Sequence, residues 1–179
     1  MRMRNGLLLA AGVASLSLVP ALPAAGQCTI AFDTSCPTAS PECGATFSGG
    51  LGCIVAGLGF CYDTGSYAYE LDESTPVTVL LDPAVSAINV FFAYTGGTTS
   101  GAMRFFSADS TEIGTAITTN GSCQSAMPPR QQKTFTTPVA RIEITMAGSG
   151  SGWVDTMELT SAPAPVETAT WGLLKARYH

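Results

Sequence analysis

The sequence predicts an all-β domain: an antiparallel, jelly-roll-like β-sandwich preceded by a Cys-rich, irregular N-terminal segment. Three observations predict it. From Tyr67 onward the chain is a succession of short runs of β-branched and aromatic residues, Gly, Asn, Asp and Pro punctuate those runs at near-regular intervals, and no stretch sustains a helical period. An open barrel is the alternative closure for strands of this length.

The elements follow in order. Residues 1–25 combine Arg2 and Arg4 with an apolar run from Leu7 to Val19, then Pro20, Pro23 and small residues, which is the pattern of a secretory signal peptide. The run is shorter than the ~20 apolar residues needed to cross a bilayer. Cleavage is expected between Ala24 and Gly26, and Gln27 before Cys28 argues against lipidation of that cysteine. Residues 27–161 are read as one secreted sandwich domain, within the usual size of about 100–200 residues.

The formal net charge is −5. Without Arg2 and Arg4, six basic residues (8 less 2) stand against 13 acidic ones, a net of −7. Before the tail the positive charges are Arg104, Arg130, Lys133 and Arg141. So acidic a surface repels phosphate backbones, which excludes nucleic acid as a partner.

Residues 27–62 hold five of the six cysteines, Cys28, Cys36, Cys43, Cys53 and Cys61, in a Gly-, Ser-, Thr- and Pro-rich context with one strand, "TIAFD". An exported chain meets an oxidising compartment, so these read as disulfide cysteines. Cys123 lies far away and is either a long-range staple or a free thiol. Six cysteines allow 15 pairings, and the sequence does not choose among them. Zinc is disfavoured, because no Cys-x-x-Cys pair occurs and the single histidine is His179.

The remaining strands are "YAYEL", "PVTVLLD", "AINVFFAY", "AMRFFSAD", "TEIGTAITT", "KTFTT", "ARIEITMA" and "WVDTMELT". Ile88, Val90, Phe92 and Tyr94 share one face, as do Ile142, Ile144 and Met146 opposite Arg141, Glu143 and Thr145. Such alternation sets one face on a core and the other toward water. "SAPAPVETA" reads as a linker, so residues 162–179 form a tail rather than a second domain.

Chemistry is sparse. A Ser-His-Asp set needs a positioned imidazole, and His179 sits at the terminus. No phosphate-cradling Gly-x-x-x-x-Gly-Lys loop occurs. Two carboxylates suffice for glycoside hydrolysis, but 13 acids make some such pair inevitable. The chain therefore reads as non-enzymatic and free of cofactors. Asp155 stands apart: it shares the parity of Trp153, Met157 and Leu159, and a carboxylate on an apolar face requires a partner. A plain buried hydrogen-bond network is the first reading, with Arg104 or Arg141 able to pair with it; a structural Ca²⁺ held with Asp33 on the opening strand is the second, since first and last strands of a sandwich are commonly neighbours, and an exposed Asp155 is the third. Tyr62, Tyr67, Tyr69, Tyr94 and Trp153 are the candidate ligand aromatics for stacking a sugar ring, although core or turn packing is the favoured reading for most of them. Asn120 in "NGS" matches a glycosylation sequon, and a tight turn explains it equally well.

The stretches "PVTVLLDPAVSAINVFFAY", "MRFFSADSTEIGTAITT" and "KTFTTPVARIEITMAGSGSGWVDTMEL" resemble the extracellular β-sandwich domains of bacterial surface proteins exported with a PEP-CTERM sorting tag, over residues 67–160. "PVETATWGLL" is similar to the opening of such a tag. It lacks Pro-Glu-Pro, and after Leu174 the chain runs straight into "KARYH". The resemblance thus implies a degenerate or truncated tag and no stable membrane anchor.

The resulting expectation is a secreted or cell-surface structural or adhesive protein whose partner is a surface or matrix protein or a polysaccharide. The alternative is a carbohydrate-binding module of galactose-binding-like type, with a structural calcium ion. Exposed Tyr or Trp on a shallow face would favour the alternative; aromatics gathered in the core would favour the first.

Overall fold

The computed structural model describes residues 26–32, 36, 38–55, 67–71, 73–95, 100–119, 128–148 and 150–163. Ten strands, all paired antiparallel, make up these residues together with one 3₁₀ turn at Pro41–Cys43. They are β1 (Gln27–Ile30), β2 (Ala39–Ser40), β3 (Ala45–Ser48), β4 (Gly52–Val55), β5 (Tyr67–Leu71), β6 (Val77–Thr95), β7 (Ser100–Phe106), β8 (Ile117–Thr118), β9 (Gln131–Ala147) and β10 (Ser151–Ser161). The expected all-β antiparallel sandwich is what the chain forms.

Its two layers are joined by β6 and β9, each long enough to belong to both. In the first sheet, residues 77–81 of β6 pair with β3 and with residues 141–144 of β9, and β7 and β8 follow outward. In the second, residues 85–95 of β6 lie between β10 and residues 131–139 of β9, with β5 and β1 along the other edge of β10. The β6–β9 ladder shifts register between Leu80 and Val85 and again by Ala87. Pro83 and Pro138 lie in this stretch and lack the N–H that a ladder uses, so pairing lapses and the strands bend from one sheet to the other.

The core fills the space between the layers. The first sheet contributes Val77, Val79, Ile142, Ile144, Met103 and Phe105; the second contributes Ile88, Val90, Phe92, Val154, Met157 and Leu159. Each such side chain gains about 1.5–3 kcal/mol relative to exposure. The period-two faces expected on β6 and β9 are the faces that point inward.

Three expectations about elements are corrected. "PVTVLLD" and "AINVFFAY" are one strand, as are "KTFTT" and "ARIEITMA", because the prolines bend β6 and β9 without ending them. "TEIGTAITT" supplies only β8 and a single bridge, Phe106 to Glu112. The N-terminal segment is more regular than its composition suggests, containing β2, β3 and β4 as well as β1.

Cys28 and Cys43 form a disulfide with Cα atoms 5.4 Å apart, and Cys36 is also disulfide-bonded. The Cys36 sulfur lies 3.3 Å from the Ala68 carbonyl, which ties this segment against β5. Cys61, Cys123 and the side chain of Cys53 lie outside the described residues, so the expected long-range staple does too. The signal-peptide and tail segments and Asn120 fall outside them likewise.

Candidate functional site

Among the described residues, the outward face of the second sheet carries polar side chains aligned across several strands. Register alone places Thr29 of β1, Glu158 of β10, Asn89 of β6 and Gln132 of β9 in one row across four neighbouring strands. The next row is Gln27, Thr160, Ala87 and Thr134. At a strand spacing of about 4.8 Å, each row is about 14 Å across. These residues face outward because their neighbours Ile88, Val90, Met157 and Leu159 occupy the core.

Glu158 anchors the face. Its Oε2 accepts from Asn89 Nδ2 at 2.9 Å, and its Oε1 pairs with Arg130, whose side chain is about as buried as that of Glu158. The charge is thereby neutralised within the site and the Asn89 amide is held in one orientation. Gln132, Thr29 and Thr134 make no side-chain hydrogen bond among the described residues, and all three are exposed. The face therefore offers hydroxyls and amides, each both donor and acceptor, on a rigid strand frame.

The first sheet's outward face is built differently. Phe106 lies beneath two guanidinium groups, Arg141 at 4.2 Å and Arg104 at 5.5 Å from the ring centroid. Both arginines are committed, Arg104 to Glu112 and Arg141 to Glu143. This stack closes over Phe106 rather than offering it.

A groove of about 600 Å³ sits where β6 and β9 bend, lined by Ala84, Thr137 and Pro138 and by the 107–114 loop. It holds two carboxylates. Ser107 Oγ and the Thr111 N–H hold the Asp109 carboxyl below the ordinary carboxylate range, and two hydrogen bonds from Arg104 do the same for Glu112. Glycoside hydrolysis needs one carboxyl kept protonated near neutral pH. Here both are pushed the other way.

Asp155 is fully buried, as expected, but its company differs from that predicted. Val154 pairs with Phe92 and Met157 with Val90, so a bulge places Asp155 and Thr156 opposite Phe91. One extra residue reverses parity. Asp155 and Trp153 thus fall on the side away from the core that Met157 and Leu159 enter. Arg104 and Arg141 are not its partners, being held by Glu112 and Glu143 on the other sheet. β1 does pair with β10 as expected. Asp33 lies outside the described residues, and among those residues no group of three or more His, Cys, Asp or Glu is placed to hold a metal.

The aromatic candidates are scattered. Tyr69 is corrected to a core residue: it stacks on Phe47 at 5.4 Å, meets Phe32 at 5.9 Å and donates its hydroxyl to the Gly49 carbonyl at 2.8 Å. Burial raises its phenol pKa. Trp153 is fully buried, so it too offers no open ring. Tyr67 and Tyr94 are half-buried, Tyr94 packing on the core, and Tyr62 lies outside the described residues. Among the described residues, Tyr67, Tyr69, Tyr94 and Trp153 present no exposed ring. Asn89, Glu158 and Gln132, which the structure does gather, carried one usable signal: each alternates with a core residue or opposes one.

No family model matches the chain. No curated protein matches it either. Among solved structures, the catalytic unit of the GH87 α-1,3-glucanase from Streptomyces thermodiastaticus is similar over 80% of this chain, at 16% identity and a TM-score of 0.45. This chain spans only 27% of that enzyme. A chain concerned with glycan recognition in the Ruminococcus flavefaciens cellulosome is similar over 78% of this chain and 97% of its own length, at 15% identity and a TM-score of 0.45. The CBM22-1 xylan-binding domain of Paenibacillus barcinonensis Xyn10C is similar over the same shares, at 9% identity and a TM-score of 0.42. At these scores the likenesses carry no argument about function.

Proposed function

We propose that this chain is a secreted, non-catalytic β-sandwich that binds polysaccharide through the polar outward face of its second sheet. One observation carries the reading: the row Thr29, Glu158, Asn89 and Gln132, in which Glu158 is neutralised by Arg130 and fixes Asn89 while its neighbours keep their hydrogen-bonding groups toward solvent. Polysaccharides present many hydroxyls in a repeating line, and recognising them takes paired donors and acceptors held in place. Export is supported by the pattern of residues 1–25.

The test is titration calorimetry against soluble xylan, mannan, galactan and β-glucan, comparing the protein with Gln132→Ala. Gln132 has no bond of its own among the described residues, so its loss should leave the melting temperature unchanged. One lost hydrogen bond of about 0.5–1.5 kcal/mol should weaken binding about 2- to 12-fold. Absence of binding across the panel would sink the proposal.

A second reading is a structural or adhesive protein of the envelope or matrix, whose partner is another protein. The core position of Tyr69 and the full burial of Trp153 on the other side of β10 favour it, because no aromatic ring among the described residues is exposed. A binding face without stacking works through hydrogen bonds alone. Its affinity is then modest and insensitive to loss of any one aromatic.

A further inference from the structure

The groove at the β6–β9 bend is chemically distinct from the polar face. Its lining is apolar at Ala84, Ala108, Ile113 and Pro138 and polar at Ser107, Asp109, Thr111, Glu112 and Thr137. The charges around it are mostly spoken for. Glu112 is neutralised by Arg104, and Lys133, near Gly114, is held by the carbonyl and hydroxyl of Thr115. Asp109 remains: Ser107 and Thr111 fix its Oδ1, and among the described residues no cation pairs with it.

We propose that this groove is a second binding site, one that takes a protonated amino sugar of a polysaccharide, with the ammonium against Asp109 and the ring's C–H face on Ala84, Ile113 and Pro138. The proposal rests on the polysaccharide reading and adds charge selection to it. A volume of about 600 Å³ falls within the range of about 300–1,000 Å³ common for small-ligand sites. A carboxylate already held by two hydrogen bonds meets a cation without paying to become ordered. The net charge of −5 draws cationic ligands toward the protein and repels uronates.

The experiment is calorimetry on the full protein with three tetramers: fully deacetylated glucosamine, its N-acetylated counterpart, and neutral glucose. The deacetylated tetramer should bind at least tenfold more tightly than the acetylated one. Asp109→Asn, which removes the charge but keeps an oxygen acceptor, should abolish that preference. Ala84→Leu should block the groove with the charge intact, so a folding defect in one variant does not decide the matter. Equal binding of both glucosamine tetramers overturns the proposal. So does unchanged binding in both variants, the pattern of diffuse attraction to an acidic surface. Neutral polysaccharides binding through Gln132 while the amine tetramer does not would remove the groove site and leave the polysaccharide reading standing. The reverse result would remove the polar face as a site and keep the groove.

Discussion

Replacing both Cys28 and Cys43 by alanine tests the account of the N-terminal segment, because the double change removes one bridge without creating a lone thiol. The bridge closes a loop with a sequence separation of 15. Chain-entropy arithmetic for a loop of that length gives about 3 kcal/mol at 25 °C. In a domain of this size each kcal/mol moves the melting temperature by about 2–4 °C, so the variant should melt about 6–12 °C lower. Cys43 is buried beside Ala45 and Phe47 in the core, so lost packing adds to the effect rather than offsetting it. Cys36 keeps its own disulfide, and strands β5 to β10 should retain their fold. Thermal melts followed by far-UV circular dichroism give the number directly. A fall of less than about 2 °C would show that the unfolded segment is already constrained without this bridge, refuting the loop-closure reasoning.

Three further outcomes are expected. Gly101 and Gly152 lie on opposite sheets, and a Cβ on either would come within 2.7 Å of Met146 Sδ, on Gly101 also within 2.4 Å of the Phe92 ring; Gly101→Ala should cost about 1–3 kcal/mol in urea melts, and a neutral result would mean the core is loosely packed there. Gly44 has a φ of 61°, and a Cβ there would stand 1.7 Å from the Asp82 carbonyl oxygen, a backbone atom with little room to yield; Gly44→Ala should destabilise the fold more than Gly101→Ala does, and equal costs would contradict the contact. Because the folded Asp109 carboxyl is held low, its contribution to stability is complete above the unfolded pKa near 3.8 and is lost as pH falls through the lower folded value. Ser107 Oγ also reaches the Thr111 carbonyl at 3.1 Å, a partner that does not titrate, so Ser107→Ala should lower the melting temperature more at neutral pH than once the carboxyl is protonated; an equal loss at both pH values would rule out that coupling.

Much of this fold was legible in the sequence because alternation is a strong signal where one face is dry. Ile88, Val90 and Phe92, and Ile142 and Ile144, point where their parity says. Continuity was not legible. Asp82–Pro83 and Thr137–Pro138 look like strand ends, yet β6 and β9 bend there and carry on into the other sheet. The bulge at Asp155 and Thr156 was hidden for a related reason: parity assumes a constant period of two, and nothing in "GWVDTMELT" marks the extra residue that moves Trp153 and Asp155 off the face of Met157 and Leu159. The polar face is not legible in the sequence, because each of its residues is an ordinary outward position. Thr29, Glu158, Asn89 and Gln132 come from four strands spread over the whole domain, and only strand order and register make them a row. The conspicuous aromatics mark no surface: Tyr69 packs in the core and Trp153 is fully buried on the other side of β10.

Residue-resolved NMR titration with a soluble polysaccharide from the binding panel shows whether ligand meets the outward face of the second sheet. Amide and side-chain signals of Thr29, Asn89, Gln132 and Glu158 should shift together along one saturable curve, while those of Arg104, Phe106 and Arg141 on the opposite face stay still. Shifts confined to that opposite face, or none at saturating polysaccharide, would contradict binding to the outward face of the second sheet.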